Sequence, residues 1–293
     1  MADWDVVIIG GGAAGLTAAA TAAGAGLSCL IIDCMGGGGE LMNLGAVHDL
    51  YEDLTGPGLM AQLLDGAITA GAALSIAEVT ALTREPTGWR IVTDDETHTA
   101  RTVILAVGLA PGTLGLDNEG DFEGQGLSHC AACDGPLYRG QPVVVAGADR
   151  WAQQEAIELA SIASHVTLIT QGGPAPSAEG VTVVQGRITA LRGVSGLDAI
   201  TVQPDAGGDP QRLPARIVFV QTGGRPSLDF VPAALARDLD GRLITDAALQ
   251  CSLPRLFAAG DCRNGSPRTL AAAMEEGRRA AGAAAAALGK PSD

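Results

Sequence analysis

Short apolar runs, glycine turns and alanine-rich stretches alternate along the chain. Asp5-Val6-Val7-Ile8-Ile9 reads as a buried parallel strand, because it is continuously apolar rather than alternating. Gly10-Gly11-Gly12-Ala13-Ala14-Gly15 follows, then an alanine-rich stretch to Ala25 with high helix propensity, and Gly26 as a stop. Ser28 to Ile32 makes a second apolar strand that ends in Asp33. This is β-α-β with glycines at the first turn. A second such unit starts at Pro142, with strand Val143-Val144-Val145, a turn around Gly147, a helix over Ala152 to Ile162 and a strand over His165 to Thr170. Between the two lie β segments at Arg90 to Thr93 and Thr102 to Val107, then a Gly/Pro-rich crossing at Gly108 to Gly115. Ile217 to Gln221 leads into Thr222-Gly223-Gly224-Arg225-Pro226, Leu256 to Ala259 leads into Gly260-Asp261, and the last helix spans Pro267 to Leu288. The pattern predicts an α/β fold with two Rossmann-like dinucleotide-binding domains.

Composition narrows the partners. The 293 residues include 18 basic against 33 acidic ones, a net charge of −15. Arg84 is the first basic residue, and nine acids precede it, so the chain lacks the basic stripe that phosphate-backbone binding needs. Only 3% of residues are aromatic, which removes stacking on rows of rings as a mode of recognition. Nucleic acid is therefore excluded as a main partner. Val6 to Ile32 carries no charge, yet it is rich in Gly and Ala and follows the acidic leader Met-Ala-Asp-Trp-Asp, unlike a membrane span or a signal peptide. Six cysteines (29, 34, 130, 133, 251 and 262) are too thinly spread for a secreted disulfide scaffold. The expectation is a soluble, cytoplasmic protein with no membrane partner.

Two motifs carry chemistry. The first glycine cluster fits G-x-G-x-x-G between strand and helix: Gly10 for the tight turn, Gly12 for backbone approach to a pyrophosphate, Gly15 for close helix–strand packing. The helix N-terminus would hold the pyrophosphate without any Arg or Lys, and Asp33, 23 residues after Gly10, would accept from a ribose. The second motif is Cys130-Ala131-Ala132-Cys133-Asp134. Two cysteines at this spacing can close a small redox disulfide, and Asp134 can shuttle a proton to a departing thiolate. Zinc would require two further ligands at tight spacing, which the remaining cysteines do not offer, so no metal is expected.

With these motifs in order, the sequence resembles the low-molecular-weight thioredoxin reductases, nearly end to end. The resemblance rests on the Gly10 to Gly15 loop, Gly38-Gly39-Glu40-Leu41, Ala106-Val107-Gly108, Cys130 to Gly135, and Phe257-Ala258-Ala259-Gly260-Asp261. It implies FAD held by Gly10, Gly12, Ala13, Gly15, Asp33 (adenosine ribose), Gly39, Glu40, Leu41, Val79, Gly108, Gly260 and Asp261 (ribityl side), with Arg268, Thr269 and Leu270 at the isoalloxazine. It also implies that Cys133 faces the flavin, that Cys130 exchanges with an external disulfide, and that Asp134 is the acid/base. The family architecture places a discontinuous FAD domain at 1–112 and 243–293, an inserted NAD(P)-type domain carrying the cysteines at 113–242, and a homodimer overall. The implied partner is a thioredoxin-like protein or a small dithiol/disulfide substrate.

The second β-α-β unit departs from the family pattern. Its turn reads Gly147-Ala148-Asp149-Arg150-Trp151-Ala152, with Asp149 where a glycine would let backbone meet pyrophosphate. Thr170-Gln171-Gly172-Gly173 follows the next strand, with neither an arginine for a 2′-phosphate nor an acid for an NAD ribose. The leading expectation is therefore an FAD-dependent dithiol/disulfide oxidoreductase without efficient NADPH use, for example a dithiol oxidase passing electrons to oxygen. The alternatives are an NADPH-dependent thioredoxin reductase with a variant nucleotide loop, a ferredoxin-linked relative, and a non-catalytic flavin-binding redox sensor. Cys29, Cys34 and Cys262 read as core, Arg278-Arg279 as a solvated helix face, His129 as a structural residue or a neighbour favouring a thiolate, and His48-Asp49 as a loop near the flavin.

Overall fold

Strand β1 (Trp4–Ile9) is buried from Val6 onward in the computed structural model, which describes residues 3–43 and 54–290. The chain continues through α1 (Ala13–Gly24), β2 (Cys29–Asp33), α2 (Gly56–Thr69), β3 (Ala73–Ile76), β4 (Val79–Glu85), β5 (Gly88–Thr93) and β6 (Thr97–Leu105). It then builds β7 (Leu127–Ser128), α3 (Ala131–Asp134), β8 (Pro142–Ala146), α4 (Arg150–Ala160), β9 (His165–Ile169), β10 (Thr182–Val184), β11 (Gly186–Arg192), β12 (Ala199–Pro204), β13 (Gln211–Pro214) and β14 (Ile217–Val220). β15 (Leu256–Ala258) and α5 (Leu270–Ala287) complete it. His48 and Asp49 lie outside the described residues.

Two compact units result, Met1–Ala110 with Arg225–Asp293, and Pro111–Gly224. In the first, the sheet runs β3-β2-β1-β6-β5-β4, with β15 also paired to β6; β1 is parallel to β2 and β6, and β15 is parallel to β6. In the second, a parallel sheet of order β10-β9-β8-β14-β7 is accompanied by an antiparallel sheet β11-β12-β13. Both sheets place consecutive apolar residues on strands covered on their faces, which is why these strands read as unbroken hydrophobic runs.

Small residues explain how closely the helices of the first unit approach. A methyl group on Gly277 of α5 would lie 2.2 Å from the Ala14 carbonyl oxygen of α1. Ala18, Ala19 and Ala22 of α1 and Ala280, Ala281, Ala284 and Ala285 of α5 are all buried in the same cluster. The alanine-rich stretches are thus a packing surface, where larger side chains would overfill the space.

Three expectations need correction. The return to the first unit occurs at 224/225, not at 242/243, because Leu228, Val231 and Leu235 bury beside Val7 and Leu105, and the Leu82 N–H donates to the Phe230 carbonyl at 2.8 Å. The last helix starts at Leu270 rather than Pro267, since Arg268 is left-handed (φ 57°) and Thr269 caps the helix, accepting from the Ala272 N–H at 3.3 Å. Cys34 is exposed, one residue past the end of β2, while Cys29 is core. Helix α2 goes beyond the sequence reading, although Thr55 at its N-cap and Pro57 in its first turn were signals for it.

Candidate functional site

The carboxyl ends of β1, β2, β6 and β15 come together, the place where open α/β sheets bind ligands. The Gly10 N–H donates to Ile32 O at 2.9 Å, the Ala106 N–H to Ile9 O at 2.8 Å and the Ala259 N–H to Leu105 O at 3.0 Å. The glycines there are fixed by close approach. A methyl on Gly10, which has φ 106°, would sit 2.4 Å from Ala106 O, and one on Gly15 would sit 1.9 Å from Gly10 O. By contrast, a methyl on Gly12 would meet nothing within 4 Å. Gly12 is the N-cap of α1 and supplies no side-chain cap, so this helix start is open on the side where a pyrophosphate would arrive. The residues therefore fit a dinucleotide.

Asp33 holds this loop in shape. Its Oδ2 accepts from the Gly11 N–H at 2.7 Å, and its Oδ1 accepts from the N–H groups of Met35 (2.9 Å) and Gly37 (2.8 Å). The sequence reading gave it a ribose; the structure adds three backbone donors. Ala13 and Leu41 are buried in one apolar cluster with Leu59, and Leu270 packs against it, so three segments distant in sequence share a wall. Gly39 (φ 50°) and Gly108 (φ 58°) are left-handed turns, and Val79 packs against the neighbouring cluster of β1, β2 and β6 side chains.

The Gly260-Asp261 turn rests on a support that sequence reasoning missed. Glu276 of α5 is 3% exposed; its Oε2 accepts from the Gly260 N–H at 2.8 Å, and its Oε1 pairs with Arg263 Nη2. The available signal was the spacing of Glu276, which falls four residues before Ala280 on the helix's small-residue buried face, whereas its neighbour Glu275 does not. Asp261 pairs with Arg268 (Nε–Oδ2 3.7 Å) and accepts from Ser266 Oγ at 3.4 Å. Burial pushes its carboxyl above the usual range, while Arg268 and Ser266 pull it back.

In the second unit, Cys130 and Cys133 form a disulfide with Cα atoms 5.3 Å apart. Cys130 caps α3, and the Cys133 N–H reaches its Sγ at 3.0 Å. Cys130 N–H donates to Ser128 Oγ at 3.0 Å, and Asp134 lies in the same turn, its N–H bonded to Cys130 O at 3.1 Å. Gly135 lets this turn sit on α4, since a methyl there would meet Leu159 Cδ2 at 2.8 Å. His129 Nε2 lies 3.2 Å from Glu123 Oε1. Burial pushes the thiols of Cys29, Cys251 and Cys262 up to about 12, which leaves them inert as nucleophiles. Among the described residues, no group of three or more His, Cys, Asp or Glu could hold a metal, and no helix is long and apolar enough to cross a membrane.

Behind the cysteine turn, α4 carries Glu155, whose carboxyl is pushed up to about 8 by burial, with repulsion from Glu158 and Asp149 adding and a hydrogen bond from Gln221 opposing. Gln221 Nε2 also donates to His129 O at 3.3 Å. The folded state therefore keeps a proton that the unfolded chain releases near its ordinary 4.5, so this group erodes stability as pH rises from about 4.5 to about 8. Glu155→Gln is expected to raise the melting temperature by about 3–6 °C at pH 8.5 and by nothing at pH 4.5. A difference that does not change with pH in a thermal scan would refute this assignment.

The turns after β8 and β9 touch each other. A methyl on Gly173 would lie 2.5 Å from Ala148 Cβ. Asp149 is the N-cap of α4, its Oδ1 accepting from the Ala152 N–H at 3.0 Å, so the chain's own carboxylate occupies this helix start. After β9, however, an arginine is present. Arg187 of β11 lies over Gly172, whose added methyl would be 2.1 Å from Nη2 and 2.5 Å from Cζ. The expectation of no arginine at this turn is thus corrected: β11 supplies it, pinned beside the turn by the Gly186 N–H to Thr170 Oγ1 contact at 3.3 Å.

Residues 4–277 match the family described as pyridine nucleotide-disulphide oxidoreductase. The chain belongs to this family. Among relatives of this oxidoreductase, the thioredoxin reductase of Treponema pallidum (strain Nichols) is 31% identical over 97% of this chain and 96% of its own. That of Mycolicibacterium smegmatis is 35% identical, covering 88% of each chain. The crystal structure of T. acidophilum thioredoxin reductase superposes with TM-score 0.89 at 26% identity, covering 98% of this chain and 99% of the other. The protein is a thioredoxin reductase-like flavoprotein, an oxidoreductase acting on sulfur groups, and the two-domain Rossmann-like fold expected from the sequence is the fold of these relatives.

Proposed function

We propose that electrons pass from a reduced pyridine nucleotide to FAD on the first unit, then through Cys133 and Cys130 to the disulfide of a thioredoxin-like protein. The observation that carries this reading is the closed Cys130–Cys133 bridge beside Asp134, in a chain similar over its length to thioredoxin reductases. Bound FAD would supply two-electron transfer between a hydride donor and a disulfide. Backbone N–H groups from Gly12 to Gly15 would hold its pyrophosphate, Asp33 would take a ribose hydroxyl, and Gly10, Gly39, Glu40, Leu41, Val79 and Gly108 would shape the cradle. Gly260 and Asp261 would bind the ribityl side, and Arg268, Thr269 and Leu270 would meet the ring system.

The cysteines then work in sequence. The Cys130 thiolate, favoured by the Cys133 N–H at its sulfur, attacks the substrate disulfide and releases one substrate thiolate. Cys133 attacks the Cys130 sulfur, closes the bridge and frees the second. Asp134 relays protons, so that two electrons and two protons turn the substrate disulfide into a dithiol. A small dithiol/disulfide compound in place of a protein substrate, and a homodimer, belong to the same reading.

A second reading keeps FAD and the cysteines but uses another electron partner, as a dithiol oxidase uses oxygen. The Asp149 cap favours it, because that carboxylate competes with a pyrophosphate at the start of α4. The family description and the thioredoxin reductase relatives support the nucleotide reading instead. Anaerobic stopped-flow mixing separates the two. Rapid flavin bleaching by micromolar NADPH is expected, and Asp149→Gly is expected to tighten nucleotide binding by about 5- to 10-fold. Bleaching by dithionite but not by NADPH would overturn the nucleotide step and leave the second reading.

A further inference from the structure

The peptide unit that carries Cys130 is held at both ends. Its N–H, that of Cys130, donates to Ser128 Oγ at 3.0 Å, and its carbonyl, that of His129, accepts from Gln221 Nε2 at 3.3 Å. A peptide unit is planar and stiff, so fixing its oxygen and its N–H fixes the direction in which Cys130 leaves it. Ser128 is buried at the end of β7, and Gln221 follows β14. These two strands pair in parallel with Phe219 opposite Ser128, and two residues further along each chain segment lie Gln221 and Cys130. Gln221 is itself anchored on three sides. Its N–H donates to Ala146 O at 2.7 Å, its carbonyl oxygen fills the place beside Gly147 that a methyl would take, and its side chain hydrogen-bonds Glu155 of α4. An amide does not titrate, so Gln221 acts through orientation and not through proton transfer.

We infer that Gln221 is a positioning residue for Cys130: with Ser128 it holds the 129–130 peptide so that the Cys130 sulfur stays within reach of the Cys133 N–H, which stabilises the attacking thiolate. This rests on the reading that Cys130 attacks the substrate disulfide. The Cys133 N–H lies 3.0 Å from Cys130 Sγ, a contact that strengthens when the sulfur is ionised. Without the Gln221 amide, the peptide swings about its remaining anchor at Ser128 and the sulfur drifts off the N–H. The thiolate then forms less readily at neutral pH, although once formed it is no weaker a nucleophile. The charged groups around the turn, Glu123 beside His129 and Asp134 in α3, stay as they are.

The test is alkylation of Cys130 by iodoacetamide in the FAD-loaded full chain, in a Cys133→Ser background that keeps the N–H of residue 133. The thiolate displaces iodide, and peptide mass spectrometry separates Cys130 from the exposed Cys34. Gln221→Leu is expected to slow the reaction about fivefold at pH 7, the effect of one lost hydrogen bond, and to leave it unchanged at pH 9.5, where an ordinary thiol is already ionised. Ser128→Ala, a smaller change at the other end of the same peptide, is expected to act in the same sense, and it carries the test if circular dichroism shows Gln221→Leu unfolded. Glu155→Gln keeps a hydrogen-bonding partner for Gln221 and is expected to retain the parent profile. Equal rates at pH 7, equal slowing at both pH values, or a Glu155→Gln profile displaced as far as that of Gln221→Leu would overturn the inference. Disulfide reduction by the dithionite-reduced wild type is measured alongside. Turnover with an unmoved alkylation profile sinks only the Gln221 assignment, whereas a moved profile without turnover sinks only the proposed reaction.

Discussion

Cys133→Ser is expected to lower disulfide turnover by at least about a thousandfold, because nothing remains to resolve the bond formed at Cys130. The two cysteines should fail differently. In Cys133→Ser, Cys130 still attacks, so a covalent mixed disulfide with a thioredoxin-like substrate builds up and is seen on a non-reducing gel. Cys130→Ser forms no such adduct, since the sulfur that carries the N–H hydrogen bond from residue 133 is gone. Both variants should retain FAD, which the proposed cradle on the first unit holds, and dithionite should still bleach it. Adduct formation by Cys130→Ser but not by Cys133→Ser would reverse the assigned order. Undiminished turnover in either variant would remove the bridge from the reaction.

Glu276→Ala is expected to cost about 3–5 kcal/mol, the range for removing one partner of a buried ion pair. The substitution leaves Arg263, whose side chain is 13% exposed, without its carboxylate and leaves the Gly260 N–H without an acceptor. The melting temperature should fall by roughly 6–16 °C. The purified protein should also lose flavin, because Gly260-Asp261 is the turn proposed to hold the ribityl side. Glu276→Gln keeps an acceptor for Gly260 and is expected to fall between the two. A melting curve and an absorbance ratio at 450 nm and 280 nm measure both effects. An alanine variant that melts like the wild type with full flavin would show that the pair carries neither role.

The parts legible in the sequence were those encoded over short stretches. β1, its glycine turn and α1 form one continuous run of residues, so the spacing marks the turn, and Gly15 packs on Gly10 within it, although Gly10 is also held by Ala106 at the end of β6. Cys130 and Cys133 are three residues apart, so one helical turn brings them together whatever surrounds them. Asp149 read in the sequence only as an intrusion at the nucleotide turn; that its carboxylate caps α4 through the Ala152 N–H came from the fold. Boundary errors followed the same logic in reverse. Residues 225–242 carry no strand or helix pattern, and only burial of Leu228, Val231 and Leu235 against the first sheet assigns them to it. Cys34 was misplaced because an apolar run shows where a strand is buried but not the residue at which it leaves the core.

By itself, then, the sequence determined the α/β class, the open glycine turn and the redox pair, since periodicity and spacing act within a few residues. Tertiary structure decided the charges around them. Glu276 reaches Gly260 across 16 residues and Arg187 reaches Gly172 across 15, and no repeat or motif links either pair in the chain. Electrostatic partners are chosen by distance in space, falling off with separation and with exposure to water. The turn after β9 therefore looks uncharged in sequence and carries a guanidinium in the fold.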